Sequence, residues 1–205
     1  MKTYLFVKRA MDIFFALFLL LVASPIMLAV AVAIKLESDG PVIFTQPRCG
    51  KNGAIFNVYK FRTMICETER NGVPLRDSER VTRVGRFLRK TSIDELPQLF
   101  NILRGEMSFI GPRPLLTNYL PYYTDVEMKR HSVLPGITGW AQVNGRNSIS
   151  WEAKFKYDLE YVDKVSFKLD LLIGMLTIYK ILTMADIERV HIIDFDIERR
   201  SAGNI

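Results

Sequence analysis

"IFFALFLLLVASPIMLAVAVAI", residues 13 to 34, is a run of 22 residues without a charge. At ~1.5 Å per residue a helix of this length covers about 33 Å, enough for a hydrocarbon layer of ~30 Å. How the run sits in a membrane decides the fold of everything after it. It is too long for a cleaved signal peptide, and Pro25 directly follows the small residues Ala23 and Ser24. An ordinary span is the simplest reading. Against it, Ser24-Pro25 stands near the centre, where proline removes one amide donor and crowds the carbonyl four residues back. In lipid the freed carbonyl needs a partner, and the Ser24 hydroxyl is a nearby donor. The flanking charge is also symmetric: Lys2, Lys8 and Arg9 precede the run, and Lys35, Arg48 and Lys51 follow it. The positive-inside rule gives such a segment no orientation. A re-entrant hairpin, entering and leaving by one face, accounts for both features. The residues alone leave hairpin and span open.

Outward from this run, the chain of 205 residues has room for one further domain with a real core. Its net charge of +6 points to anionic partners: phosphates, anionic lipid or nucleic acid. Cys49 and Cys66 have no metal-like or redox spacing and read as free thiols in a reducing compartment. His131 and His191 are isolated and read as structural or surface residues.

After the run, Asp39-Gly40-Pro41 turns into a short strand, Val42 to Thr45. Asn52-Gly53 signals a hairpin back into a second strand, Ile55 to Phe61. Arg83, Arg86, Arg89 and Lys90 recur at helical spacing. Leu96, Leu99, Phe100 and Leu103 follow i, i+3, i+4, i+7, an amphipathic helix. A helix is expected over Leu116 to Ser132, a glycine-rich loop with a short strand in "PGITGWAQVNGRN", and helices over Trp151 to Lys164 and Leu171 to Met184. The last two mix tryptophan, tyrosine and lysine with aliphatic residues, a composition suited to the headgroup layer or to the core.

"SIDELPQLFNIL", Ser92 to Leu103, carries the chemistry. Ser92-x-x-Glu95 is a capping-box pattern, and Asp94 as N-cap would put Pro97 harmlessly in the first turn. The alternative is a catalytic pair. Side by side on a helix, Asp94 and Glu95 cannot face each other to share a proton, nor flank a sugar bond from opposite sides. Near a helix start both are expected ionised, which suits a nucleophile and a hard-metal ligand. Cations crowd the neighbourhood: Arg83, Arg86, Arg89 and Lys90 before the pair, Arg113 in a Pro-Arg-Pro turn after it, Lys60 and Arg62 at the second strand, Arg146 in the glycine loop. Carboxylates among arginines held by rigid turns suggest phosphoryl transfer, with Mg²⁺ and arginines neutralising an anionic substrate. No nucleic-acid module with stacking aromatics is present, so a nucleic-acid partner is not expected.

In these residues the chain resembles the bacterial sugar transferases, or monotopic phosphoglycosyl transferases. The resemblance rests on "KRAMDIFFALFLLLVASP", "ESDGPVIFTQPRCGKNG", "YKFRTM", "RVGRFLRKTSIDELPQLFNILRGEMSFIGPRPLL" and "PGITGWAQVNGR", in order, over roughly residues 7 to 172. It looks like the small members that consist of little more than the catalytic unit. The resemblance implies transfer of a phospho-sugar from a UDP-sugar to undecaprenyl phosphate, with release of UMP. It implies Asp94 as nucleophile, Glu95 as Mg²⁺ ligand or as helper of the attacking lipid phosphate, and Arg113, Arg89, Lys60 and Arg146 around substrate phosphate. It also implies that Ser24 and Pro25 break a re-entrant helix, with both termini and the site on the cytoplasmic face of a bacterial inner membrane, among its phospholipids. Asp158 and Asp170 are family-like supporting acids. The former shares a helix side with Phe155 and Val162 and needs a cationic partner if buried; the latter could be an N-cap. The expected fold is α+β: residues 1–36 a re-entrant membrane helix, 37–184 a catalytic domain with a small β-hairpin and amphipathic interfacial helices, and 185–205 a tail that maps to nothing. A homodimer is compatible with this reading. Diacetamido-trideoxy sugars, N-acetylhexosamines and hexoses all serve the family as donors.

Overall fold

The computed structural model describes residues 2–145, 149–183 and 194–201. The apolar run is the centre of α1, Lys2–Glu37, a single helix of 36 residues, about 54 Å of rise if straight. By length and composition it could cross a membrane, with a mean hydropathy of 2.8 over its most apolar window. One stripe is buried: Asp12, Ala16, Ala23, Val30 and Ile34, with Leu20 and Met27 between them. Three- and four-residue steps keep those side chains on one face. The opposite face leaves Phe14, Phe18, Leu21, Leu28, Val32 and Leu36 exposed.

The helix is not interrupted at Ser24-Pro25, which corrects the expected break there. Pro25 lies inside it, and the Ser24 hydroxyl donates to the Leu21 carbonyl at 2.8 Å. That carbonyl is the one whose backbone donor the proline ring removes, so a side chain replaces the missing bond.

The hairpin forms as expected, but its first strand runs on to Cys49 rather than ending at Thr45. β1, Ile43–Cys49, pairs antiparallel with β2, Ile55–Phe61, from Ile43 opposite Phe61 to Cys49 opposite Ile55. Pro47 is tolerated because a two-stranded sheet consists of edges. Between the strands, Asn52 and Gly53 both take positive φ, as a tight reversal requires. β3, Glu69–Arg70, and β4, Val73–Pro74, make a small surface hairpin before the short helix α2, Asp77–Arg80.

α3, Arg83–Thr91, and α4, Gln98–Arg104, flank the acidic pair. Gly85 lets α3 lie directly on the chain after β2, since a Cβ there would sit 2.0 Å from the Thr63 carbonyl oxygen. β5, Ser108–Ile110, pairs in parallel with β6, Gly136–Thr138, the short strand expected in the glycine loop. The expected helix over Leu116 to Ser132 is instead three pieces: a 3-10 stretch Thr117–Tyr122, α5 at Asp125–Met128, and a 3-10 turn Lys129–Ser132. Pro121 prevents a continuous α ladder, and Thr124 caps a new start by accepting from the Glu127 amide. α6, Trp140–Val143, leads to α7, Trp151–Lys164, and α8, Phe167–Thr183. α9, Phe195–Ser201, lies in the unmapped tail.

α1 packs on β2 and α4 through Ala16, Val58, Leu99, Ile102 and Met107, and on β2 and α3 through Val30, Ile34, Phe61 and Leu88. A separate aromatic cluster joins α7 to α9: Phe195 is fully buried among Tyr119, Tyr123, Trp151 and Phe155, at centroid distances of 5.0 to 5.4 Å. α7 thus turns its aromatic side inward, whereas α8 leaves Leu171, Met175, Ile178, Tyr179 and Leu182 exposed.

Candidate active site

Between α3 and α4 the chain makes one 3-10 turn, Ile93–Glu95. The expected capping box does not form. Ser92 is instead the left-handed C-cap of α3, φ 58°, and makes no side-chain cap bond; Pro97, not Asp94, flanks the start of α4. The tight turn directs successive side chains about 120° apart, so Asp94 and Glu95 meet different surroundings.

Glu95 points to β2 and the Pro-Arg-Pro turn. Its Oε1 accepts from Lys60 Nζ at 2.6 Å and from Arg113 Nη2 at 3.1 Å. Burial pushes its carboxyl up, but the charges of Arg113 and Lys60 outweigh this and hold it at about 2. Asp94, among the described residues, has no hydrogen-bond or ion-pair partner. Burial first, and the charge of Glu95 second, raise its carboxyl above the ordinary range, opposed by Lys60, Arg113 and Arg89. The expectation that both acids are held ionised by a helix start is therefore corrected: Glu95 is, through its ion pairs, while Asp94 is the less acidic of the two.

Asp94, Glu95, Lys60, Arg89 and Arg113 line one cleft of about 1400 Å³. Arg89 is aimed from α3 by donating Nε to Thr63 Oγ1 at 2.8 Å. Of the other cations singled out in the sequence, Arg62 also borders the cleft, but its guanidinium donates to the Ser38 carbonyl at 2.7 Å and to that of Asp39. Arg83, Arg86 and Lys90 lie on the exposed side of α3. Arg146 and His191 lie outside the described residues.

The supporting acids separate. Asp158 is 3% exposed and holds the cation its burial demands, Arg130, with Nε and Nη2 at 3.0 and 2.8 Å from Oδ2. Arg130 Nη2 also donates to the Arg113 carbonyl at 2.7 Å, tying the pair to the turn that aims Arg113. Asp170 is not an N-cap. It sits in the first turn of α8 and accepts from Tyr161 at 2.8 Å, from Lys8 at 2.6 Å and from Tyr4, fastening the start of α1 to α8. His131 is buried against Tyr123, and burial together with Arg130 lowers it to about 4, a neutral structural ring. Cys49 is buried and Cys66 exposed, both free.

Three cleft residues escaped the sequence reading. Arg48 lines the cleft and donates to Gln46 at 2.6 Å; burial and Arg113 lower it to about 10. Lys154 stands over the Trp151 ring at 4.1 Å, with burial lowering its amine. Arg130 had a signal only in the cation that Asp158 required.

For a divalent cation, the donor set is hard and sparse. Glu95 Oε1 is taken by its ion pairs, leaving Glu95 Oε2 and the Asp94 oxygens. Among the described residues no group of three or more His, Cys, Asp or Glu could hold a metal. Two carboxylates suit Mg²⁺, which keeps waters and takes substrate phosphates to complete its shell.

The family model for bacterial sugar transferase matches residues 3–184. An uncharacterized sugar transferase, EpsL of Bacillus subtilis (strain 168), is 51% identical over 184 residues, 90% of this chain and 91% of EpsL. A UDP-N-acetylgalactosamine-undecaprenyl-phosphate N-acetylgalactosaminephosphotransferase of Aeromonas hydrophila is 46% identical over 88% of this chain. A UDP-glucose:undecaprenyl-phosphate glucose-1-phosphate transferase of Escherichia coli (strain K12) is 44% identical over 84% of it. The matched part spans 44% and 39% of those two longer proteins. Matched by the family over residues 3–184, the acidic turn and its cations included, the chain belongs to the bacterial sugar transferases.

Proposed function

We propose that this chain moves a phospho-sugar from a UDP-sugar to undecaprenyl phosphate through a covalent intermediate on Asp94. The observation that carries the reading is the division of labour in the acidic turn. Glu95 is neutralised by Lys60 and Arg113, while Asp94 keeps its carboxylate uncommitted in a cleft shared with Arg89 and Arg113. Relatives named for undecaprenyl-phosphate sugar phosphotransfer support the substrate classes.

An Asp94 oxygen attacks the phosphorus that bears the sugar. The Asp94–phosphorus bond forms, the bond from that phosphorus to the bridging oxygen breaks, and UMP leaves. An oxygen of the lipid phosphate then attacks the same phosphorus, and the Asp94 carboxylate leaves. Arg113, Arg89 and Lys60 spread positive charge where the transferring phosphoryl group develops negative charge. Arg146 is assigned to the same phosphates by the family pattern alone. A Mg²⁺ ion held by Asp94 and Glu95 would supply further neutralisation of the pyrophosphate.

The contacts at both ends of α1 bear on its membrane topology. Lys8, near its start, pairs with Asp170, and Glu37, at its end, accepts from the Arg83 and Val84 amides at 2.7 and 2.9 Å. A helix that crossed a bilayer would leave one end on the far side, away from this domain. These contacts therefore support a re-entrant α1, with its apolar face and that of α8 in lipid and the site at the cytoplasmic face of the inner membrane, where donor and acceptor start glycan assembly.

Asp94→Asn tests the chemistry. The variant should fold and bind membrane but release no UMP, and intact mass after donor addition without acceptor should show one added phospho-sugar on the native chain alone. Turnover by Asp94→Asn, or a native chain that turns over yet never carries the adduct, refutes the covalent route.

A further inference from the structure

α3 carries a surface that the transfer reaction does not use. Arg83, Arg86, Phe87 and Lys90 are all exposed, and at ~100° per residue they fall within a stripe about 100° wide. Phe87, 58% exposed, lies along one edge of the stripe, a turn away from both Arg83 and Lys90. Among the described residues, Arg83, Arg86 and Lys90 form no ion pair. The inward side is packed by Leu88 and Gly85, so the stripe is fixed in direction rather than free to rotate.

A merely solvated basic face has no use for an exposed phenylalanine beside its cations. A basic stripe bordered by one aromatic ring matches the headgroup layer of an anionic bilayer, where the ring enters the acyl boundary and the cations stay with phosphates. Position agrees. The end of α1 is bound to the start of α3 by the Glu37 carboxylate on the Arg83 and Val84 amides. One residue before Glu37, Leu36 is 83% exposed, continuing the apolar face of α1 towards α3.

We propose that the Arg83–Arg86–Phe87–Lys90 face of α3 is a docking surface for anionic phospholipid headgroups. This rests on the re-entrant membrane reading and adds lipid charge to it. The consequence is mechanical. α3 presents Arg89 on another side and runs directly into the turn bearing Asp94, so anionic lipid at the stripe sets how the catalytic turn sits over the bilayer.

The test follows a tryptophan in place of the ring. Phe87→Trp in the full chain is reconstituted in nanodiscs of phosphatidylcholine, with or without phosphatidylglycerol, containing acyl-brominated lipid as quencher. The unsubstituted chain, with Trp140 and Trp151, gives the background. Quenching of the new tryptophan should be stronger with phosphatidylglycerol, should weaken with salt, and should lose its phosphatidylglycerol dependence when Arg83, Arg86 and Lys90 are changed to Gln. At roughly fivefold per cation near an anionic surface, the three together should change the local preference for anionic lipid on the order of a hundredfold. Inorganic phosphate added to phosphatidylcholine discs should not reproduce the effect. Quenching no greater than background, equal quenching in both lipids, or an unchanged lipid dependence in the triple variant overturns the proposal. Fluorescence requires no turnover, so it stands or falls apart from the Asp94 chemistry.

Discussion

Replacing Arg130 with Met should be among the most damaging single changes to this domain, for a reason that can be isolated. The guanidinium holds Asp158 Oδ2 through two nitrogens at 3.0 and 2.8 Å and the Arg113 carbonyl at 2.7 Å. The two side chains are 2% and 4% exposed. Burial raises the Asp158 carboxyl, and Arg130 opposes that rise. Without Arg130 a carboxylate remains in a dry site, which typically costs ~3–5 kcal/mol. For a chain of this size that is on the order of 10 °C in melting temperature. Cys49 supplies the assay. It is 1% exposed, so in a Cys66→Ser background a thiol-reactive fluorogenic dye reports its exposure on heating. The pH dependence fixes the cause. In the variant the folded carboxyl lies above its unfolded value, so the folded state binds the extra proton and stability falls as pH rises between the two. The deficit should therefore be smaller near about pH 5 than near about pH 8. Adding Asp158→Leu should restore most of the loss, since no charge is then buried. If the single and double variants melt together at every pH, the buried charge is not the cause and the reasoning fails.

Two further outcomes follow from the acidic turn and from α1. Because Glu95 is held at about 2 and Asp94 is raised, the acid limb of UMP release should report Asp94, with the rate climbing as pH rises through a value above the ordinary aspartate pKa of about 3.9. Lys60→Met removes a cation that lowers Asp94 and should move that limb to higher pH; an unmoved limb would assign it to another group. For topology, Thr3→Cys in a chain with Cys49 and Cys66 replaced should be labelled by an impermeant reagent only from the cytoplasmic side, and labelling from outside the cell would exclude the re-entrant placement of α1.

What the sequence made legible was local. The apolar run, the Asn52-Gly53 reversal and the helix from Trp151 to Lys164 each follow from a contiguous pattern. The Leu116 to Ser132 segment misled because its apolar residues resemble a helix face while Pro121 and the Thr124 cap divide it. The capping box misled for a related reason. Ser92 and Glu95 have the right spacing, but Ser92 is already committed to ending α3 in a left-handed conformation. Partners distant in sequence were not legible at all. Arg130 and Asp158 are 28 residues apart, and Glu95 meets Lys60 across 35. The docking of α9 depends on Phe195 entering rings contributed by residues 119 to 155, none of which announces a socket. Charge spacing collected the cations without sorting them: Arg113 is aimed by its rigid turn, Lys60 by β2, and the cations of α3 divide by helix face, so that Arg89 enters the cleft and Arg83, Arg86 and Lys90 do not.

The same point explains how two adjacent acids come to hold different chemistry. A helical N-terminus would have given Asp94 and Glu95 one electrostatic environment and similar acidity. The 3-10 turn separates them by about a third of a revolution, and the folds on either side complete the distinction. β2 supplies Lys60 and the Pro-Arg-Pro turn supplies Arg113, both to the same oxygen of Glu95. Glu95 thereby absorbs the nearest positive charge, anchors the turn to two other elements and loses its own basicity. Asp94, without a bonded partner among the described residues and lifted by burial and by its neighbour's charge, retains the more basic oxygens. An oxygen that is to bond phosphorus needs that basicity, and an oxygen that is to hold arginine or a metal in place does not. The sequence "DE" states only that two carboxylates are present; the turn beneath them makes Asp94 the more basic of the two.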